Sequence, residues 1–76
     1  MANYKKPEVH TVPNKNRGWD NKQDGETISH HPTKAEALEN GRMEAKKDHT
    51  EHRIHNRDGK IATANSYGHD PFPPRG

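Results

Sequence analysis

One short stretch decides the fold of this chain: Arg53-Ile54-His55-Asn56-Arg57-Asp58-Gly59-Lys60-Ile61. Asp-Gly between two strand-like segments is one of the strongest short signals for a β-hairpin, because glycine adopts a positive φ without a steric cost. The flanking segments, 52–55 and 60–64, are therefore predicted to pair as antiparallel strands. Ile54 and Ile61 are expected to anchor this hairpin in the core.

Three further strands are predicted nearer the N-terminus. Residues 9–12, 19–23 and 27–30 carry the alternating or β-branched side chains that strands favour. A second Asp-Gly pair, at 24–25, predicts a hairpin turn between the last two of these segments.

A helix is predicted to follow Thr33. The hydroxyl of Thr33 can cap the N–H of Glu36, and Glu36 can reach back to the N–H of Thr33, which is the capping-box arrangement. Ala37, Gly41 and Ala45 are spaced by four residues and form a nearly flat face that lets a helix lie close to a sheet. Gly41 costs about 1 kcal/mol of helix propensity relative to alanine, and we infer close approach as its reason.

The order of these elements predicts an α+β fold. We expect a small, mostly antiparallel sheet in the order β-β-β-α-β-β, with one helix packed on one face. A single domain is expected over residues 8–67, after a flexible basic arm over 1–7. Residues 68–76 are expected to form an extended proline-rich tail, because proline continues neither a helix nor a central strand.

The composition predicts marginal stability. Only 24% of the 76 residues are hydrophobic, against roughly 45–50% apolar residues in ordinary domains. Trp19 is the largest apolar side chain, and we expect it in the core. Burial and chain entropy nearly balance at this size, so self-association or a protein partner is expected to supply apolar surface.

The same composition predicts a cytoplasmic protein without a membrane partner. No apolar run approaches the roughly 20 residues that span a bilayer, and no apolar segment follows the basic N-terminal residues. Cysteine is absent, and the net charge of +2 is mild. Such a charge mainly favours solubility.

Patterns typical of catalysis or metal binding are not found. The sequence has no Gly-rich phosphate loop, no nucleophile elbow and no His-Glu-x-x-His motif. We therefore expect no enzyme activity, no catalytic residues, no cofactor and no small-molecule substrate. His49, His52 and His55 are spaced by three, but the last two fall in a predicted strand, where they would face opposite ways. The seven histidines are accordingly expected to be solvated, without a metal site.

The favoured function is a small non-enzymatic interaction module. It would self-associate as a homo-oligomer or dock on a protein partner. The candidate contact residues are Met43 on the outer side of the helix, Tyr67 over the hairpin, and Phe72 between prolines. An aromatic side chain in a proline-fixed extended segment loses little entropy on docking.

The alternative is a DNA- or RNA-binding accessory protein that uses the basic face of its sheet. Arginine and lysine supply the phosphate contacts that such a protein needs. The mild net charge and the neighbouring carboxylates argue against nucleic-acid binding. The candidate residues are Lys15, Arg17, Lys22, Arg53, Arg57 and Lys60.

Several motifs taken together resemble one bacterial family. They are His10-Thr11-Val12-Pro13, Gly18-Trp19, Thr33-Lys34-Ala35-Glu36-Ala37, Ile54-His55, Arg57-Asp58-Gly59-Lys60-Ile61 and Ser66-Tyr67-Gly68-His69-Asp70-Pro71. In this order and spacing they are similar to the small family catalogued as domain of unknown function 2188. The resemblance implies a compact α+β domain in a cytoplasmic bacterial, plasmid or phage protein. It implies no catalytic or binding residues.

The chain is more polar than the resembled family at three places. After the tryptophan and before Ile54 the family tends to be apolar, and in the helix it favours alanine. The resemblance therefore implies a poorer core in this chain. The residues concerned are Asp20, Asn21, Asn40, Gly41, His52 and Arg53.

Overall fold

The computed structural model describes residues 7–67 as five strands and one helix. Their bounds are β1 Val9–Pro13, β2 Trp19–Gln23, β3 Glu26–His31, α1 Lys34–Lys47, β4 Glu51–His55 and β5 Ile61–Ser66. The predicted α+β class and the order β-β-β-α-β-β are confirmed. The predicted tail, and all of the predicted arm except Pro7, lie outside the described residues.

The sheet is mixed, so the expectation of a mostly antiparallel sheet was wrong. The strand order is β3-β2-β1-β4-β5, and the central pair, β1 and β4, runs parallel. The other three pairs are antiparallel. Helix α1 is the cause of the parallel pairing, because it returns the chain from the last residue of β3 to the end of the sheet at which β3 begins. The next strand, β4, then runs in the same direction as β3 and β1.

Both ends of α1 are closed by local hydrogen bonds. Thr33 has extended backbone angles, and its Oγ1 accepts a hydrogen bond from the N–H of Glu36 at 3.2 Å, as predicted. At the other end the N–H of Thr50 donates to the carbonyl of Ala45, and His49 adopts a φ of 53°. This left-handed closure, which usually selects glycine, ends the helix and turns the chain into β4.

The apolar core is very small. The buried hydrophobic side chains of the described residues are Val9, Trp19, Ala37 and Ala45, so the expected burial of Trp19 is confirmed. Ile61 is 51% exposed, and the expectation that it anchors the β4–β5 hairpin was wrong. The reason is the position of α1, which packs against β1, β2, β3 and β4 but does not reach β5.

Polar side chains fill the space under the helix. Thr11, Asn21 and His52 lie on three adjacent strands and are almost completely buried. The hydroxyl of Thr11 donates to Oδ1 of Asn21, and its oxygen lies 2.7 Å from Nε2 of His52. Because the Thr11 hydroxyl gives its own proton to Asn21, His52 must donate from Nε2. The other ring nitrogen, Nδ1, is then an acceptor, and it is buried without a hydrogen-bond partner in the described structure.

This network extends to the edge strand β3 and to the helix. The side-chain amide of Asn21 donates to Oγ of Ser29 at 3.1 Å, and Ser29 donates to Oδ1 of Asn40 at 2.9 Å. We call the five residues Thr11, Asn21, Ser29, Asn40 and His52 the polar core cluster. Three of them stand where the chain is more polar than the resembled family. Hydrogen bonds among them offset the cost of burying polar groups in so small a core.

Gly41 sets the distance between α1 and the sheet. A Cβ atom on Gly41 would lie 2.6 Å from Oδ1 of Asn21, 2.7 Å from Nε2 of His52 and 2.9 Å from Oγ1 of Thr11. Side-chain atoms do not approach one another so closely in a packed interior, and these three atoms are held by their mutual hydrogen bonds. The inferred role of Gly41 in close approach is confirmed.

We expect Gly41→Ala to lower the free energy of unfolding by about 1–3 kcal/mol, even though alanine favours a helix by about 1 kcal/mol. The added methyl group must displace the polar core cluster. Urea unfolding followed by circular dichroism measures the effect. Lys46→Ala, on the exposed side of the same helix, is the matched control and should change stability by no more than about 0.5 kcal/mol. A Gly41→Ala protein as stable as the wild type would contradict the close approach.

Candidate functional site

The edge strand β5 is the most open regular element of the described residues. All six of its residues are exposed, and none of them carries a charge. Exposed edge strands in natural proteins are usually protected by charged side chains, proline or a covering element. The strand β5 contains no charged residue and no proline, and among residues 7–67 no element covers it, since α1 does not reach it.

The outward backbone groups of β5 follow from its pairing with β4. The N–H of Tyr67 donates to the carbonyl of Thr50 at 3.1 Å, and the register continues through His52 with Asn65. Hydrogen-bonded pairs alternate with non-hydrogen-bonded pairs along an antiparallel ladder, and residues of a non-hydrogen-bonded pair direct their backbone groups away from the partner strand. The intervening residues, Ala64 and Ser66, therefore direct their N–H and C=O groups away from β4 and toward solvent.

The two edges of the sheet differ. The strand β3 carries Glu26, His30 and His31, and its register with β2 shifts so that Ile28 is bulged. The register of β5 with β4 also shifts, at Ala62, but the stretch 63–66 beyond the shift pairs regularly. Charge protects β3, whereas the regular part of β5 offers a free and uncharged ladder.

A groove lies beside this edge, between α1 and the end of the sheet. It has a volume of about 370 Å³, and its walls include Leu38 of the helix and Ile54 and Asn65 of the sheet. Arg42 and the buried His52 also line it. The groove exists because α1 lies over the middle of the sheet, and no other element of residues 7–67 covers the helix side of β5.

The three residues predicted to contact proteins are placed differently. Met43 is 57% exposed and lines a second groove of about 460 Å³ with His31 and Asn40, on the β3 side of the helix. Tyr67 is half-buried, and its backbone continues the β4–β5 ladder. Phe72 lies outside the described residues. The structure thus brings Met43 and Tyr67 to opposite sides of α1, and their shared role in protein contact stays a prediction.

The face of the sheet opposite α1 carries paired charges. Arg53 donates to both oxygens of Glu8, at 2.8 and 3.2 Å, and also to Glu51 at 2.8 Å. Two carboxylates therefore engage Arg53, which is one of the six predicted nucleic-acid contacts. Beside them, Nδ1 of His10 lies 3.0 Å from Nε2 of His55.

The six predicted nucleic-acid contacts do not form one face. Lys22 and Arg53 lie on strands, and Lys22 is exposed. Lys15 and Arg17 lie in the β1–β2 turn and are exposed there. The remaining two, Arg57 and Lys60, lie in the β4–β5 turn. The structure thus collects four of the six at the turns instead of on the sheet face.

The expectation of solvated histidines was wrong for His52 and needs revision for His10. His52 is 1% exposed, and burial, together with the nearby charges of Arg42 and His10, lowers its pKa below 6.5. His10 is half-buried. Its pKa is also lowered, because burial and the charge of His55 outweigh the attraction of Glu8. The low hydrophobicity of the chain forces histidine into positions that apolar residues usually fill.

Asp20 is a buried carboxylate held by local donors. Burial alone would raise its pKa, but hydrogen bonds from His30 and Asn14 outweigh that effect, and the pKa of Asp20 lies below 3.8. Nδ2 of Asn14 donates to one carboxylate oxygen at 2.8 Å, and the ring of His30 contacts the other at 2.5 Å. Asp20 thereby ties the β1–β2 turn to β3.

Two further features of residues 7–67 bear on the kind of site. No three histidine or acidic side chains within this range are grouped so that they could hold a metal ion. In the same range, the helix is too short and too polar to cross a membrane.

The comparisons with known proteins identify the family. The family model described as "Uncharacterized protein conserved in bacteria (DUF2188)" matches residues 9–67, which include all five strands and the helix. The predicted resemblance is confirmed. No curated protein and no solved structure matches this chain.

We expect the stability of the protein to fall as the pH drops below about 6.5, the unfolded-chain pKa of histidine. The pKa values of His52 and His10 are lower in the folded protein. The unfolded chain therefore binds protons first, and stability present above pH 6.5 is lost on acidification. The pKa of Asp20 is also lowered in the folded protein. The stability that Asp20 contributes is therefore lost only below pH 3.8, the pKa of this carboxyl in the unfolded chain.

Urea unfolding between about pH 7 and pH 5 measures this dependence. His52→Gln retains an N–H donor for Thr11 without a titrating ring, so it should reduce the dependence of the urea midpoint on pH. His49→Asn, at an exposed position, is the control and should leave that dependence unchanged. A midpoint that stays constant or rises on acidification would contradict the assigned burial of His52.

Proposed function

The chain belongs to the bacterial family of uncharacterized proteins DUF2188, and we propose that it is a non-enzymatic interaction module that self-associates by pairing two copies along β5. The observation that carries this proposal is the uncharged, fully exposed edge of β5, with the outward backbone groups of Ala64 and Ser66. Such an edge is a ready template for another strand.

Antiparallel pairing of two β5 strands produces a closed dimer. The two-fold axis stands perpendicular to the sheet, so the same patch of each copy meets its equivalent. A continuous ten-stranded sheet results, with both α1 helices on the same side. Residues directly opposite each other in an antiparallel pair share a face, so the helix sides of the two copies adjoin.

This dimer also joins the two grooves beside α1. Leu38 and Ile54 of each copy line a groove that opens toward β5. In the dimer the two grooves adjoin across the new strand pair, and apolar walls from both copies face one trough. Glu39 and Arg42 also line each groove, so the backbone hydrogen bonds of the new strand pair carry the association more than apolar burial does.

A second copy fits this edge better than a charged partner does. The side chains around the free ladder are small or uncharged: Thr63, Ala64, Asn65 and Ser66. No charge on β5 selects a complementary partner, and no bulky side chain hinders an approaching strand. A strand that meets its own copy is complementary by symmetry, since each outward N–H finds an outward carbonyl.

We expect the wild-type protein to be a dimer and Ala64→Pro to be a monomer. Proline removes the outward N–H of residue 64 in both copies and leaves the β4–β5 ladder intact, because that N–H does not face β4. The loss of two hydrogen bonds weakens the dimer by about 1–3 kcal/mol, or roughly 5- to 150-fold in its dissociation constant. Size-exclusion chromatography with light scattering over a concentration series measures the change.

Two controls separate loss of pairing from loss of folding. Ala64→Val retains the N–H and favours a strand, so it should remain a dimer. Asn65→Pro removes an N–H that faces β4 and should destabilise the hairpin itself, as circular dichroism would show. A wild-type protein that is monomeric at high concentration, or an Ala64→Pro protein that remains dimeric, would rule out pairing along β5.

A further inference from the structure

One end of the described domain gathers basic side chains from three separate connections. Because β1, β3 and β4 run in the same direction, the β1–β2 turn, the β3–α1 connection and the β4–β5 turn all lie at the same end of the sheet. We call the five cationic residues at these connections the basic end. They are Lys15, Arg17, Lys34, Arg57 and Lys60.

The cations of the basic end have no carboxylate partners among the residues that the structure describes. Within residues 7–67, ion pairs engage Arg42, Lys47 and Arg53 elsewhere on the domain, but none involves the basic end. Three acidic residues lie near this end, Asp20, Glu36 and Asp58, and within residues 7–67 none of them forms an ion pair with a cation of the basic end. Asp20 is buried against Asn14 and His30, and Oδ1 of Asp58 accepts a hydrogen bond from the backbone N–H of Lys60.

Trp19 holds two of these cations in place. Nζ of Lys34 lies 4.9 Å from the centroid of the Trp19 ring, and Cζ of Arg57 lies 5.4 Å from it. Cation–π contacts of this length attract a cation without neutralising it. Trp19 itself is only 5% exposed, so it orients the two charges and does not offer a face on which a base could stack.

The β1–β2 turn that presents Lys15 and Arg17 is rigidly built. Oδ1 of Asn14 accepts hydrogen bonds from the N–H groups of Asn16 and Arg17, at 2.7 and 3.2 Å. The N–H of Asn14 donates to the carbonyl of Gly18, and Gly18 packs against the backbone of His31. The two basic side chains therefore project from a fixed backbone.

The β4–β5 turn is ordered in the same way. The N–H of Asn56 donates to the carbonyl of Lys60 at 2.7 Å, and Gly59, at a φ of 92°, donates to the carbonyl of Asn56. The backbone of the turn that carries Arg57 and Lys60 is thereby fixed, and Trp19 orients the Arg57 side chain. Preorganised cations lose less entropy on binding than cations on mobile loops.

The opposite end of the sheet carries charges of both signs. Asp24 and Glu26 lie at the β2–β3 turn and Asp48 and Glu51 lie near the start of β4, but Lys46 and Lys47 in the last turn of α1 lie at this end too. The five cations of the basic end exceed the acidic residues near them, which are Asp20, Glu36 and Asp58. This local excess of positive charge attracts an anion.

We propose that the basic end binds the phosphate backbone of duplex nucleic acid. Lys34 and Arg57 lie over the same Trp19 ring, and Lys15, Arg17 and Lys60 belong to two turns at the same end of the sheet. Neighbouring phosphates of one backbone can therefore contact several of these cations at once. The burial of Trp19 favours contact with the backbone over stacking on single-stranded bases.

This site is separate from the β5 edge and does not depend on the self-association proposed above. It also differs from the predicted basic sheet face, because Arg53 is engaged by two carboxylates and Lys22 lies on a strand. Binding through phosphates is independent of base sequence and strongly dependent on salt.

Fluorescence anisotropy with a labelled mixed-sequence DNA duplex tests the proposal across a series of salt concentrations. Four or five phosphate contacts predict a slope of about −4 in a plot of log K against log salt. The triple variant Lys15→Gln, Arg17→Gln, Lys60→Gln should bind at least about tenfold more weakly at low salt, and its slope should be smaller in magnitude by about 2.7. All three side chains are exposed, and the cation–π contacts with Trp19 come from Lys34 and Arg57, so we expect the variant to retain the fold.

A charge-matched triple variant, Lys22→Gln, Lys46→Gln, Lys47→Gln, is the control and should retain the wild-type slope. The proposal is overturned if the wild type does not bind the duplex at low salt, or if both triple variants lose affinity equally. Vesicles with anionic phospholipid are a second probe. Binding to them that is as tight as binding to the duplex, and equally sensitive to the basic-end variant, would assign the site to a membrane surface instead.

Discussion

The close contact between Gly41 and the polar core cluster is the constraint on which the rest of the structure depends. Three polar atoms of Thr11, Asn21 and His52 lie where a Cβ on Gly41 would have to be. A helix at this distance can cover only small or flat side chains, and hydrogen bonds within the cluster satisfy what hydrophobic packing does not. Because residue 41 has no side chain, α1 lies close to the sheet. The polar side chains of the cluster fill the narrow space between them.

The position of α1 over this cluster determines which surfaces of the sheet remain open. The helix covers β1, β2, β3 and β4, and among residues 7–67 β5 has neither a helix above it nor a strand beyond it. The same crossover makes β4 parallel to β1 and brings three connections to one end of the sheet. The exposed edge and the basic end thus have a common origin in the path of the chain through α1.

Local signals predicted a large part of the fold. The hydroxyl of Thr33 caps the helix, Gly25 and Gly59 adopt a positive φ in their turns, and the flat face with Ala37 is buried. The basic end was predicted less well. The sequence analysis identified four of the five residues of the basic end but assigned them to the face of the sheet, and it missed Lys34. No local pattern reveals that Trp19 holds Lys34 beside Arg57, because the contact joins residues far apart in the sequence.

The sequence by itself determined the number, type and order of the elements, since turn glycines, helix caps and side-chain alternation act over a few residues. The tertiary structure alone decided the parallel pairing of β1 with β4, the exposure of Ile61 and the burial of His52. These features depend on which strands become neighbours and where the helix comes to rest. That outcome is set by competition among contacts that are distant in the chain, and a residue's polarity does not show whether a neighbour will satisfy it in the core.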